Sequence, residues 1–130
     1  MKIKIYYHHT DCGGVVYYGK YLEFLEEART EYFEEKGFSV KELLKEGIIF
    51  VVRAQQIEYL KPVLYGDILT IKTRIIEYSS VKLIFDYDIR NQDNEITTRA
   101  RTVLVCVDRN FKPKEIPQQI LRALCSMQLK

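Results

Sequence analysis

The period of the hydrophobic pattern changes over one long stretch, and that change limits the fold more than any other feature of the chain. From about Tyr18 to Lys36, Tyr21, Leu25, Ala28 and Tyr32 recur at helical spacing, with Leu22 and Phe24 widening the stripe. Glu23, Glu26, Glu27, Glu31, Glu34 and Glu35 occupy most of the rest, a solvated face. Gly37 follows directly, where a helix C-terminus is expected. A shorter helical turn, Val40 to Lys45, has Ser39 at its N-cap.

Around this helix the chain reads as strands. The opening KIKIYY alternates, placing Ile3, Ile5 and Tyr7 on one face. Ile49 to Leu60 is one extended segment closed by Lys61-Pro62, and Gly66-Asp67 marks a turn. The next strand aligns Leu69, Ile71, Thr73 and Ile75. Residues 81 to 90 then alternate cleanly, Val81, Leu83, Phe85, Tyr87 and Ile89 against Lys82, Asp86, Asp88 and Arg90. A turn at Asn91 to Asn94 leads to a last strand, Ile96 to Val107, whose end VLVCV is expected to be covered on both faces. Pro117 opens a C-terminal helix through about Met127.

The four later strands follow one another through short connections, which predicts antiparallel pairing. One amphipathic helix on one antiparallel sheet is an α+β layout. Such a helix covers a single face. Ile68, Ile84, Val103, Val105 and Val107 therefore need other cover, and a homodimer is expected.

Composition narrows the class. At 130 residues, without low-complexity segments or repeats, the chain is read as a single domain spanning residues 1–130. A net charge of +2 with scattered Lys and Arg argues against nucleic acid. MKIKIYYHH lacks the apolar core of a signal peptide, and no apolar run approaches the roughly 20 residues that span a bilayer. The expected location is cytoplasmic. Cys12, Cys106 and Cys125 are odd in number and form no CxxC, which fits a reducing compartment, and Cys106 reads as a core residue.

The chemistry-bearing stretch is His8-His9-Thr10-Asp11-Cys12-Gly13-Gly14-Val15-Val16-Tyr17-Tyr18, at the junction of strand and helix. Backbone N–H groups at a helix start lack partners and carry the positive end of the macrodipole, so they can hold an oxyanion. Gly13 and Gly14 let a substrate approach the backbone closely. Asp11 is placed to attack a carbonyl or to activate water. Taken alone, an Asp before Gly-Gly is also a standard turn residue. A metal site is not expected from His8, His9, Asp11 and Cys12. Neighbouring His side chains on a strand face opposite ways, and neither HxxxH nor CxxC spacing is present. A Cys12–His nucleophilic pair is a minor alternative.

The run YYHHTDCGGVVYYGKYLEFLEEARTEYFEEKGF, continued by FVVRAQQIEYLKPVLYGDILTIKT and VLVCVD, resembles the 4-hydroxybenzoyl-CoA thioesterase family, in particular its YbgC-like acyl-CoA members. The resemblance covers nearly the whole chain. It implies a hotdog fold, a five-stranded antiparallel sheet wrapped around one long helix, with dimers formed by joining two sheets edge to edge and often paired into tetramers. It implies acyl-CoA thioester hydrolysis without a cofactor. Asp11 falls at the place of the family's catalytic carboxylate. Tyr18 would supply the backbone N–H that polarises the carbonyl, beside Gly14, and Val16 and Tyr17 would line the acyl pocket. Two departures stand out: many relatives carry His where this chain has Tyr18, and the residues before Thr10, here His8 and His9, are often acidic. Glu26 and Glu27 are weaker candidates, since other hotdog branches place a carboxylate on this helix. Lys61, Arg53, Arg74, Arg99 and Arg101 are candidates for meeting the phosphates of coenzyme A. The alternatives are a non-catalytic protein that binds an acyl thioester or acyl carrier protein, and a hotdog dehydratase. The dehydratase is disfavoured because no His lies in or after the helix.

Overall fold

The computed structural model describes residues 1–11 and 13–125. A short strand β1 (Lys2–Lys4) leads through a 3-10 turn (Tyr7–His9) to α1 (Tyr18–Glu35) and α2 (Val40–Lys45). Four strands follow, β2 (Ile49–Tyr59), β3 (Ile68–Tyr78), β4 (Lys82–Arg90) and β5 (Ile96–Val107), and then α3 (Gln118–Cys125). The five strands form one antiparallel sheet in the order β1-β3-β4-β5-β2. This is the hotdog arrangement expected from the sequence.

The predicted stripe is the buried face of α1. Tyr21, Phe24, Leu25, Ala28, Tyr32 and Phe33 enter one core with Leu69, Ile71, Leu83, Phe85, Tyr87 and Ile89 of the sheet. Each large apolar side chain removed from water contributes about 1.5–3 kcal/mol, so this contact dominates the fold. Leu22 is the exception, half exposed. Ser39 caps α2 as expected, accepting from the Glu42 N–H at 3.4 Å. Tyr32 ties α3 to α1, its Oη donating to the Leu124 carbonyl at 3.1 Å. Burial pushes that phenol up to about 12, so it stays a donor at neutral pH.

Three expectations about the strands need correction. β1 is only three residues long, and Tyr7 lies in the 3-10 turn with its ring exposed, because the chain bends after the buried Ile5. β2 and β3 are not neighbours. β2 pairs with β5 at one edge of the sheet, and residues 60–67 cross to β3 near the other. Val107 is buried, because residues 108–116 fold back: Val107 bridges to Pro113 and the Lys114 N–H donates to the Cys106 carbonyl. Ile68 is exposed and Ile84, Val103 and Val105 are half-buried. Cys106 is a core residue, its thiol pushed up by burial and hence unreactive. Pro117 precedes α3 and accepts from the Ile120 N–H, while the expected extension to Met127 lies outside the described residues.

A polar thread crosses the core. Arg29, on the buried face of α1, donates through Nη1 to Tyr87 Oη at 3.2 Å and Thr102 Oγ1 at 3.4 Å. Tyr87 Oη lies 3.0 Å from Thr102 Oγ1, which reaches Gln55 Oε1 at 2.7 Å on the edge strand. The thread joins α1 to β4, β5 and β2. Deleting one hydroxyl leaves a buried donor unsatisfied, which costs about 1–3 kcal/mol. Tyr87→Phe is therefore expected to lower the unfolding free energy by about that amount, with an unchanged m-value in a urea titration.

Candidate active site

Asp11 sits at the head of a tight hairpin. Thr10 bridges to Val16, the Asp11 N–H donates to the Val15 carbonyl at 2.9 Å, and the Gly14 N–H donates to the Asp11 carbonyl at 3.1 Å. Gly14 has φ +76°, while a Cβ built there would meet nothing within 4 Å. The glycine is required by its backbone conformation rather than by space. Asp11 Oδ1 accepts from the Gly13 N–H at 2.9 Å, so the turn role of this residue is real. Among the described residues the carboxylate has no other bonding partner, and it is exposed to solvent.

The crossover from β2 to β3 holds this hairpin in place. The Val16 N–H donates to the Val63 carbonyl at 2.8 Å, and the Tyr65 N–H donates to the Gly14 carbonyl at 3.0 Å. Val15 bridges to Leu64. Asp67 shapes the crossover itself, accepting from the Leu64 N–H and from Gln92 Nε2. Below it, Ile5 and the crossover exchange two backbone bonds, Ile5 N–H to the Asp67 carbonyl and Gly66 N–H to the Ile5 carbonyl.

Helix α1 begins immediately after the hairpin. Tyr17 takes the N-cap position in an extended conformation (φ −79°, ψ 154°) but makes no side-chain cap. Its carbonyl accepts from the Lys20 N–H at 3.0 Å. Among the described residues nothing accepts the N–H groups of Tyr18 and Gly19. They are the donors that a helix start leaves open. Asp11, Gly14, Tyr17 and Tyr18 thus converge on one corner. Val16 does not share their exposure: its side chain is packed in the core, 2% exposed.

The corner also has residues that periodicity did not single out. The Tyr18 ring lies 4.8 Å from that of Tyr59, and Tyr7 packs edge-on to Tyr65 at 5.8 Å. Tyr17, Tyr18, Tyr59, Leu60, Leu64 and Tyr65 are all substantially exposed. Large apolar side chains gathered at a surface mark a ligand or partner site. The available signal was LKPVLYGD, whose apolar pairs lie in a turn-rich connection where polar residues are usual.

His8 and His9 are not on a strand. Both fall in the 3-10 turn with ring centroids 4.2 Å apart, and His9 Nδ1 is occupied as acceptor of the Tyr6 N–H. The proposed Cys12 pair lies outside the described residues. Four of the five basic candidates for phosphate recognition are already paired. Lys61 meets Glu95, Arg74 meets Asp86 and Asp88, Arg99 meets Asp88, and Arg101 meets Asp86. Among the described residues, Arg53 has no carboxylate partner. It stands at the bulge between Val52 and Ala54 on the β2 edge. Glu26 accepts from Thr30 Oγ1 on its own helix, and both Glu26 and Glu27 are exposed. No described helix is long and apolar enough to cross a membrane.

Comparison with known proteins places this geometry. The profile of the thioesterase-like superfamily matches residues 7–124. The chain is 38% identical over 120 residues to the acyl-CoA thioester hydrolase YbgC of Escherichia coli O157:H7, covering 92% of this chain and 90% of the relative. It is 32% identical over 123 residues to the acyl-CoA thioesterase YbgC of Haemophilus influenzae, covering 93% and 90%. Among solved structures, the DHNA-CoA thioesterase of Staphylococcus aureus superposes with a TM-score of 0.94 at 31% identity, covering 99% of this chain and 89% of that one. A match across nearly the full length, in both sequence and fold, establishes that the chain belongs to the thioesterase-like superfamily.

Proposed function

We propose that this protein hydrolyses acyl-CoA thioesters. The observation that carries the reading is the pairing of Asp11, on a braced hairpin, with the unpartnered N–H groups that open α1. The thioester carbonyl oxygen accepts from the Tyr18 N–H, and the helix dipole stabilises the charge that develops on it. Asp11 either attacks the carbonyl carbon, forming an acyl anhydride that water then hydrolyses, or removes a proton from the attacking water; in both routes the C–S bond breaks and coenzyme A leaves as the thiol with a proton that comes from water. The names of the relatives, which denote acyl-CoA thioester hydrolases, support the substrate class.

The acyl group is held by the exposed aromatic corner, which a second copy of the chain completes. β2 is an eleven-residue edge strand, bonded on one side to β5, and its Val52 and Tyr59 side chains are about half exposed on the side facing α1. Edge-to-edge pairing of two β2 strands removes the free edge and covers those side chains. Pairing of dimers into tetramers rests on the family alone. Of the five basic candidates, Arg53 is the one without a carboxylate partner among the described residues and is assigned to a coenzyme A phosphate, and acyl carrier protein is the alternative carrier of the acyl group.

Thiol release from short, long and aromatic acyl-CoA esters tests the activity and identifies the acyl class. Asp11→Asn and Asp11→Ala are each expected to lower kcat by about 10²–10⁴-fold while the fold is kept. Full activity in both variants would sink the role given to Asp11. Tight binding of the esters without turnover by the wild type would favour the binding-protein reading instead.

The oxyanion donor can be tested at the backbone. Tyr18 is the first residue of α1, where proline is tolerated, and Tyr17 already has the extended conformation that precedes proline. Tyr18→Pro therefore deletes the N–H and keeps the helix, and a loss in kcat of about 10²–10³-fold is expected. Tyr18→Ala keeps the N–H and is expected to keep most of kcat, its effect falling on KM through the lost Tyr59 contact. Equal kcat in the proline and alanine variants would dismiss Tyr18 as the donor.

A further inference from the structure

The segment that delivers the chain to Asp11 is closed by a histidine. His9 is 9% exposed, with its ring edge-on to Phe24 of α1 at 5.5 Å and 4.2 Å from the ring of His8. Its Nδ1 accepts the backbone N–H of Tyr6 at 3.0 Å, the bond that closes the entry to the 3-10 turn. An Nδ1 that accepts carries no proton, so the ring is neutral and holds its hydrogen on Nε2. Between this ring and Asp11 each backbone step is fixed. The Thr10 N–H and Oγ1 both donate to the Tyr7 carbonyl, at 3.0 and 2.7 Å, Thr10 bridges to Val16, and the Asp11 N–H donates to the Val15 carbonyl. Thr10 thus joins the turn directly to the strand pair that carries Asp11.

We infer that His9 is a positioning residue whose neutral ring locks the turn supporting the Asp11 hairpin, and that its protonation releases this lock; the link to catalysis rests on the reading of Asp11 given above. Protonated, the ring would point an N–H at the Tyr6 N–H, replacing a bond with two opposed donors. The charge would also be created in a largely buried place. The surrounding charges are mixed. His8 on the same turn and Lys20 on α1 oppose protonation, Glu23 on α1 favours it, and the adjoining groove is lined by Lys2 and Lys4 of β1 and by Glu27 and Glu31 of α1. Burial is the largest influence and, with His8 and Lys20, holds the His9 pKa below the ordinary value of 6.5. Because the locked form has the lower pKa, the lock is fully present above pH 6.5. It weakens as the pH falls from there through the pKa of the locked ring.

Two substitutions separate the ring's functions. Asn at position 9 places its Oδ1 where Nδ1 stands, keeping an acceptor that does not titrate in this range. Phe keeps the ring against Phe24 and removes the acceptor. The pH dependence of kcat and KM for acyl-CoA hydrolysis would be measured for wild type, His9→Asn and His9→Phe. Nitrogen NMR of the imidazole would be recorded for the wild type, and amide exchange at Tyr6 for all three proteins. In the wild type, His9 is expected as the Nε2–H tautomer titrating below 6.5, with kcat falling and Tyr6 exchange quickening as it protonates. His9→Asn should keep neutral-pH kcat and lose that acid limb. His9→Phe should lose about 10- to 100-fold in kcat at every pH, with KM nearly unchanged and Tyr6 exchange fast throughout. Wild-type kcat in His9→Phe, or an unmoved acid limb in His9→Asn, would overturn the positioning role. Tyr6 exchange reports the turn and not the chemistry. If Asp11→Asn proved active while Tyr6 exchange still followed His9, the lock would stand and the Asp11 reading would fall.

Discussion

Burial of the α1 stripe inside one curved sheet is the contact on which the rest of the molecule depends. The helix fills the concave side with Tyr21, Phe24, Leu25, Ala28, Tyr32 and Phe33, and β3 and β4 answer with Leu69, Ile71, Leu83, Phe85, Tyr87 and Ile89. Its own position is made specific by the thread from Arg29 through Tyr87 and Thr102 to Gln55, which only one placement of the helix satisfies. A single helix cannot cover five strands. β2 consequently lies at the margin with Val52 and Tyr59 half exposed, and the free edge and the aromatic corner adjoin each other. One packing limit leaves both features open.

The site follows from how the chain enters and leaves that helix. Asp11 has no support of its own beyond a short turn, yet the crossover from β2 bonds the hairpin at Gly14 and Val16, and Ile5 bonds the crossover from below. Three stretches distant in sequence thus fix one carboxylate beside one helix start. The open N–H groups need no special residue, because every helix leaves its first donors unpaired. Tyr17 lacks a side chain able to cap them, so they remain available. His9 extends the same bracing toward the N-terminus, where a backbone N–H is held by an imidazole whose pKa burial lowers below the ordinary value.

Much of this was legible in the chain. The limits of α1, the Ser39 cap, the alternation in β4 and the burial of Cys106 follow from period and local chemistry, which act over a few residues. The turn at Asp11 to Gly14 and the helix start after it were legible for the same reason, whereas the roles given to Asp11, Tyr17 and Tyr18 came from the family resemblance. The misreadings have a common cause. Tyr7 continued an alternating pattern, but the chain bends after Ile5 because the crossover takes both of that residue's backbone groups. Val107 looked uncovered until the returning segment bridged to it. The five basic residues were indistinguishable until cross-strand neighbours supplied carboxylates to Arg74, Arg99 and Arg101, and Glu95, just before β5, supplied one to Lys61.

The sequence by itself determined the elements and the α+β layout, because hydrophobic period and turn chemistry are local properties. Tertiary structure decided what is adjacent to what. It set β2 beside β5 rather than β3, carried residues 60–67 across the sheet, and brought Tyr59 to Tyr18, Leu64 to Val15 and Tyr65 to Tyr7. It also turned His9 inward onto the Tyr6 N–H. Those neighbours are chosen by the global burial of one helix in one sheet, a quantity summed over the whole chain that no short window of sequence contains.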